Sequence, residues 1–196
     1  MRITIAPTDN ILERFSEQLR QMSDGKAHKG LARAINRTTD VTYTRVTRAI
    51  VKQSSIPRHI VQDRTRKVRV AVGVPGTDLE GRIIARGKGV PLKEFAVKQL
   101  SYGVRVKLFG KMQRMPGDFI FAGTHKSGIA AYNGHTLTRT GEENPKSGRN
   151  NAIRPTYGPS VTGEMVERLS KQEYERTVAE MLPARVQHEL ARLLPK

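Results

Sequence analysis

The side chains that most often carry chemistry are sparse in this 196-residue chain. Cysteine is absent, which excludes disulfides, thiolate metal sites and a sulfur nucleophile. The histidines are His28, His59, His125, His135 and His188. No pair of them has the spacing of a helical zinc motif, and no carboxylate cluster accompanies them. Ser54, Ser55, Ser101 and Ser127 lack a nucleophile-elbow context. Gly87-Lys88-Gly89 is a fragment of a phosphate loop without the rest of a Walker pattern, and reads as a turn. Glu142 and Glu143 lie in a polar stretch, where a buried acid–base pair is hard to build. Asn36-Arg37-Thr38 matches a glycosylation pattern with no secretion signal before it. These residues point to no catalytic constellation, no metal site and no cofactor, so an enzyme is not expected.

Fixed positive charge is the chemistry the chain does supply. Residues 26–115 hold 21 Lys or Arg against 5 Asp or Glu, a net +16 of the chain's +17. The other segments come to −1 for 1–25, +2 for 116–163 and 0 for 164–196. A concentrated basic block beside a neutral C-terminus points to a surface that sits near a polyanion. Aromatic content is 5% and Trp is absent, so a platform for stacking single-stranded bases is poorly supplied. Hydrophobic content of 37% and charged content of 27% suit a folded, water-soluble chain. No apolar run approaches membrane-spanning length, and the first residues lack the apolar core of a secretory signal. A cytoplasmic protein, with no membrane partner, is expected.

The elements that must position the charge are legible from periodicity. A short first strand around Ile3 and Ile5 ends at Pro7, and a helix follows from Asp9 or Asn10 to about Met22. Residues 26–54 form the strongest helix. At about 100° per residue, Leu31, Ile35, Thr38, Thr42, Val46, Ala49 and Gln53 share one arc. Arg33, Arg37, Arg45, Arg48 and Lys52 occupy the adjacent arc, with Asp40 the sole acid in the segment. Ile56-Pro57 ends this helix and starts a short one through Ile60 and Val61.

After Arg64 the period changes to two. Val68, Val70, Val72 and Val74 alternate with Lys67 and Arg69, and Pro75-Gly76 makes a turn. Leu79, Gly81, Ile83 and Ala85 alternate with Arg82, Arg86 and Lys88. Leu100, Tyr102, Val104, Val106 and Leu108 alternate with Arg105 and Lys107. If these strands pair, one sheet face is apolar and the other a continuous cationic face. Residues 88–95 read as a connection. Phe119 to Phe121 and Ile129 to Tyr132 read as further strands, and 138–152 as a polar segment that is either a mobile loop or ordered only by a partner. From 164 the chain returns to helix. Tyr174, Val178, Met181 and Leu182 form one patch, Pro183 interrupts, and Val186, Leu190 and Leu193 form a last stripe.

The fold class expected is α+β: a long basic N-terminal helix packed on a mostly antiparallel sheet, with a C-terminal helix. The divisions expected are 1–137 for the N-terminal helical part and β core, 138–163 for a polar loop and Pro/Gly-rich connector, and 164–196 for the C-terminal helical segment. The residues expected to face DNA or an acidic partner are the five helix cations and the strand cations Lys67, Arg69, Arg82, Arg86, Lys88, Arg105 and Lys107. Tyr157, Val186, Leu190 and Leu193 are the candidate interface residues.

The order of several short motifs resembles the minor tail protein Z family of lambda-type tailed phages, the tail completion proteins. L-A-R-A-I-N-R-T (31–38) opens the long helix. I-P-R-H-I-V (56–61) follows, then E-G-R-I-I-A-R-G (80–87). P-L-K-E-F (91–95) precedes the V-R-V-K strand (104–107). P-G-D-F-I-F (116–121) is followed by R-P-T-Y-G-P-S-V (154–161). The resemblance covers roughly residues 26–170. It implies a non-enzymatic virion protein at the head-proximal end of the tail, present in the host cytoplasm during assembly, that finishes the tail and supports head–tail joining. By analogy it implies a homo-oligomeric ring around a DNA channel, a hexamer favoured, with the tail terminator, tail tube or head–tail connector proteins and genome DNA as partners. The alternative is a stand-alone, non-specific nucleic-acid-binding protein, for which the basic block fits equally well.

Overall fold

Helix α1 spans Asp24–Ser54, 31 residues, and organises the rest of the chain. The computed structural model describes residues 2–5, 24–72, 78–121, 134–141, 143, 148 and 152–192. All seven arc residues of α1, Leu31, Ile35, Thr38, Thr42, Val46, Ala49 and Gln53, are buried. Two of the buried threonines bond back along the helix, whereas the Thr42 hydroxyl is buried without a hydrogen-bond partner. Thr38 Oγ1 donates to the Ala34 carbonyl and Thr39 Oγ1 to that of Ile35, each at 2.9 Å. The helix stops at Ser55, whose φ of 64° lies in the left-handed region. Ser54 Oγ then accepts from the Ile56 amide at 3.2 Å. Pro57 leads directly into α2 (Arg58–Arg64), which buries Ile60 and Val61.

The strands follow as β1 (Arg2–Ile5), β2 (Thr65–Val68), β3 (Gly81–Ala85), β4 (Gly89–Pro91), β5 (Val97–Leu100), β6 (Gly103–Leu108), β7 (Lys111–Pro116), β8 (Phe119–Ile120), β9 (Thr136–Arg139), β10 (Ile153–Pro155) and β11 (Tyr157–Ser160). A 3-10 turn, Leu92–Glu94, follows β4. The fold is α+β, with a long N-terminal helix, a C-terminal helix and antiparallel sheets throughout. The strands do not merge into one sheet. Their orders are β1-β3-β2, β5-β6-β7, β10-β9-β8 and a β4-β11 pair.

Several boundaries differ from the periodic reading. The alternation through 100–108 is broken at Ser101-Tyr102, because Gly103, at φ 143°, packs its Cα against the Met115 carbonyl where a Cβ has no room. β7 was not expected, since K-M-Q-R-M-P has no period of two; it is made by the two-residue turn at Phe109 and Gly110, with φ 52° and 73°. The connection at 88–95 holds β4. The segment 138–152 is not a simple loop: Thr138 and Arg139 belong to β9 and pair with Arg154 and Ile153 of β10. The Thr140 amide extends the ladder to the Ala152 carbonyl at 3.0 Å. The expected helix 9–22, the Pro75-Gly76 turn and the strand at 129–132 lie outside the described residues.

Short helix α3 (Val161–Met165) is capped by Ser160, whose side chain accepts from the Gly163 amide. Helix α4 (Arg168–Ala191) then runs through Pro183 without a break. Pro183 and Ala179, four residues before it, both face solvent, where water can satisfy the freed carbonyl. Burial of Thr177, Leu182, Val186 and Glu189 holds the helix on both sides of the proline. Antiparallel to α1, α4 closes a core of Leu31, Ala34, Ile35, Leu182 and Val186. A second core joins Val46, Ile50, Ile56, Val61, Ile83, Leu92, Val106, Val161 and Met165. Burying each such aliphatic side chain contributes about 1.5–3 kcal/mol.

Candidate polyanion interface

The five cations of α1 do not act as one stripe. Arg33 Nη2 sits 3.1 Å from Glu189, whose side chain is 2% exposed. Arg45 Nη1 donates to Thr177 Oγ1 at 3.2 Å and lies 3.5 Å from Glu180. Both therefore brace α1 against α4. Arg37, Arg48 and Lys52 are exposed and form no ion pair with a described residue. Arg48 and Lys52 line a recess together with Arg45, Ala49, Leu169 and Glu173.

The cations of β2 and β3 separate as well. Lys67 pairs across to Ile83, while Arg82 pairs to Val68, so the two lie on opposite sheet faces. Lys67 Nζ and Arg69 Nη2 converge on the Asp40 carboxylate at 2.5 and 2.6 Å, and Lys67 also stands over the Tyr43 ring at 5.6 Å. Burial works to raise the Asp40 pKa, but hydrogen bonds from Lys67 and Arg69, with their charges, outweigh it and hold the carboxyl below its ordinary value. Arg82 is paired with Glu80. Arg86 and Lys88 remain exposed, and Arg66, not singled out by the pattern, joins Arg82 and Arg86 on the outer face.

The third sheet keeps its charge. In β6 the side chains of Val104, Val106 and Leu108 enter the core, at 0, 0 and 4% exposure. Arg105 and Lys107 therefore face outwards. Register places Lys98 of β5 directly opposite Arg105, and Arg105 directly opposite Arg114 of β7. Three cations thus form a row across the sheet, spanning about 10 Å at the usual strand spacing. Lys107 lies one step along the same face, opposite Met112. Like charges directly opposite one another destabilise a sheet. Residues 95–117 contain no Asp or Glu, and among the described residues no acid forms an ion pair with these cations.

Asp118, the next acid along the chain, is 8% exposed and turned away. Its carboxylate accepts from Thr138 Oγ1 and, at 3.3 Å, from Thr156 Oγ1, so it ties the residue before β8 to β9 and to the junction of β10 and β11. Within the row, Arg105 Nε is enclosed without a hydrogen-bond partner. The Arg114 guanidinium covers the Tyr102 ring at 5.4 Å. Lys98, Lys107 and Arg114 are exposed, as are Tyr102 (40%) and Met112 (55%). Of the strand cations expected on one face, Arg105 and Lys107 are brought together here. The periodic pattern does not reach Lys98 and Arg114, because residues 97–99 lie between the expected connection 88–95 and the strand expected from Leu100, and β7 has no period of two. The acid-free run 95–117 was the signal that marks them both.

The candidate interface residues also divide. Val186, 4% exposed, and the half-buried Leu190 pack against α1 of the same chain, not against a neighbour, because α4 lies along α1 over its length. Tyr157 is 55% exposed on β11. Leu193 lies outside the described residues.

Among the described residues no group of three or more His, Asp or Glu is placed to hold a metal ion. His135 is shifted below its ordinary pKa, first by burial and then by the Lys93 charge. No helix among the described residues is long and apolar enough to cross a membrane. Comparison with family models, curated proteins and solved structures found no significant match.

Proposed function

We propose that this chain is a structural subunit of a tailed-phage virion, of the tail completion kind, acting at the head-proximal end of the tail. It works without catalysis, as one copy in an oligomer. The observation that carries the polyanion contact is the acid-free row Lys98–Arg105–Arg114 with Lys107 beside it. A subunit next to a genome end needs such a face, since phosphate contacts position DNA without reading it. What supports the tail assignment is the order of the motifs and where they fall. I-P-R-H-I-V forms the α1–α2 corner, E-G-R-I-I-A-R-G forms β3, P-L-K-E-F forms the 3-10 turn, and R-P-T-Y-G-P-S-V forms β10 and β11. Ile56, Ile60, Val61, Ile83, Leu92, Phe95 and Val161 from these motifs share one core. The motifs are therefore the joints of the fold, which a family would hold in order.

Light scattering on the purified protein, with electron microscopy of it mixed with purified tails, tests the assignment. We expect a discrete oligomer or end-on attachment to the tail. A monomer that never attaches, yet binds duplex fragments tightly, overturns it in favour of a stand-alone nucleic-acid-binding protein, which would use the same cationic face.

A further inference from the structure

We propose that the outer face of the β5–β6–β7 sheet binds the phosphate backbone of nucleic acid through Lys98, Arg105, Lys107 and Arg114, without reading bases. The inference rests on the reading of this face as a polyanion interface and commits it to one occupant. Three observations favour phosphates over an acidic protein. The centre of the face is the charged row itself, whereas protein interfaces bury apolar and aromatic groups centrally and deplete charge there. The large exposed apolar groups on this sheet are two, Tyr102 in the β5–β6 turn and Met112 on the edge strand beside Lys107, too few to form an apolar centre. An extended acidic strand would turn alternate carboxylates away from the sheet, while duplex DNA carries a charge about every 1.7 Å of its axis and offers several to one patch.

The face also explains why base readout is absent. One face of the sheet packs on the core, and among the described residues its other face carries no helix that would enter a groove. The Tyr102 ring is already covered by Arg114, so it offers no stacking platform. Arginine forks suit phosphate oxygens bidentately, and a bound phosphate would relieve the repulsion between Lys98, Arg105 and Arg114.

The test is fluorescence anisotropy with a short mixed-sequence duplex across a salt series. With four phosphate contacts, the slope of log affinity against log salt should be about −3.6, a loss of about 150-fold between about 50 and 200 mM. Two combined variants are compared. Lys98→Gln, Arg105→Gln, Lys107→Gln and Arg114→Gln should abolish most of the slope. Arg37→Gln, Arg48→Gln and Lys52→Gln, on α1, should leave it near the parent value. Should the sheet variant fail to fold, Lys107→Gln alone should reduce the slope by about 0.9. Absence of duplex binding, an unchanged slope in the sheet variant, or loss confined to the helix variant overturns the inference. Competition by polyglutamate separates the two levels of the reading. If polyglutamate of equal charge displaces DNA and binds more tightly, the occupant is an acidic protein and the commitment to nucleic acid fails, while the polyanion face and the tail assignment survive.

Discussion

Replacing Gln53 by Leu should cost this protein far more than its place on an apolar arc suggests. Gln53 is 7% exposed and joins three elements. Its Nε2 donates to the Glu164 carbonyl at 2.7 Å and to Glu164 Oε2 at 2.8 Å, and its Oε1 accepts from the Ser170 amide at 3.1 Å. Glu164 is 7% exposed and Ser170 fully buried, so water cannot replace the lost partner. The Glu164 carbonyl keeps the Ser170 hydroxyl, but the Ser170 amide and the Glu164 carboxylate are stripped. Each orphaned buried group costs about 1–3 kcal/mol, the charged one at the upper end. Leucine offsets part of this through its apolar surface, at about 0.8 kcal/mol per methylene. A net loss of about 2–4 kcal/mol remains, which lowers Tm by about 4–16 °C in a chain of this size. Differential scanning calorimetry reads it directly. Adding Glu164→Gln to the Leu variant should recover part of the loss, because a bare amide is cheaper to bury than a bare carboxylate, with a coupling of about 1 kcal/mol or more. A Tm within about 2 °C of the parent, with no coupling, would refute the claim that this network joins the C-terminal end of α1 to α3 and α4.

Three further outcomes are expected. Gly81→Ala should destabilise by about 1–3 kcal/mol, since the new Cβ meets the Thr39 hydroxyl and comes within 3.1 Å of Ile35 Cγ2; a urea midpoint equal to the parent's would contradict the close seating of α1 on β3. Asp40, with its pKa lowered in the fold, stabilises the protein above the ordinary carboxylate range, near 3.9, and loses that contribution as pH falls through its folded value. In Asp40→Asn that acid-side fall should be shallower, and thermal melts from neutral to acidic pH would show an unchanged profile if the Lys67–Asp40–Arg69 cluster does not form. Tyr174, pushed up to about 12 by burial and then by Glu175, is kept neutral by the fold, so its contribution is full below about pH 10 and is lost as pH rises through its folded value. Absorbance titration of the phenols should show a late transition that disappears in Tyr174→Phe; a high-pH limb unchanged by that substitution would exclude the half-buried placement of Tyr174.

The helices were legible because their signals are local. The α1 arc of Leu31 to Gln53 follows from period alone, and burial agrees with it residue by residue. The charge balance of the block was equally plain, but its destinations were not. Asp40 is distant in sequence from Lys67 and Arg69, and Glu189 from Arg33, so neutralisation depends on long-range packing that periodicity does not encode. The division into four small sheets depends on Gly103 and the Phe109-Gly110 turn, where backbone geometry overrides the alternation of valines. Pro183 misled for a related reason: its effect is set by the solvent on its side of α4, a tertiary fact. The acid-free stretch 95–117 marks β5–β7 as a cationic region in the sequence, but which of its cations share a face depends on the strand register.

Lysine acetylation footprinting of the duplex-bound protein tests the central claim most directly, because it reports on individual ammonium groups. We expect Lys98 and Lys107 to be protected, with Lys29 and Lys52 of α1 labelled as in the free protein. Protection of Lys29 and Lys52 with Lys98 and Lys107 still reactive would place the polyanion on the helix and contradict the sheet interface.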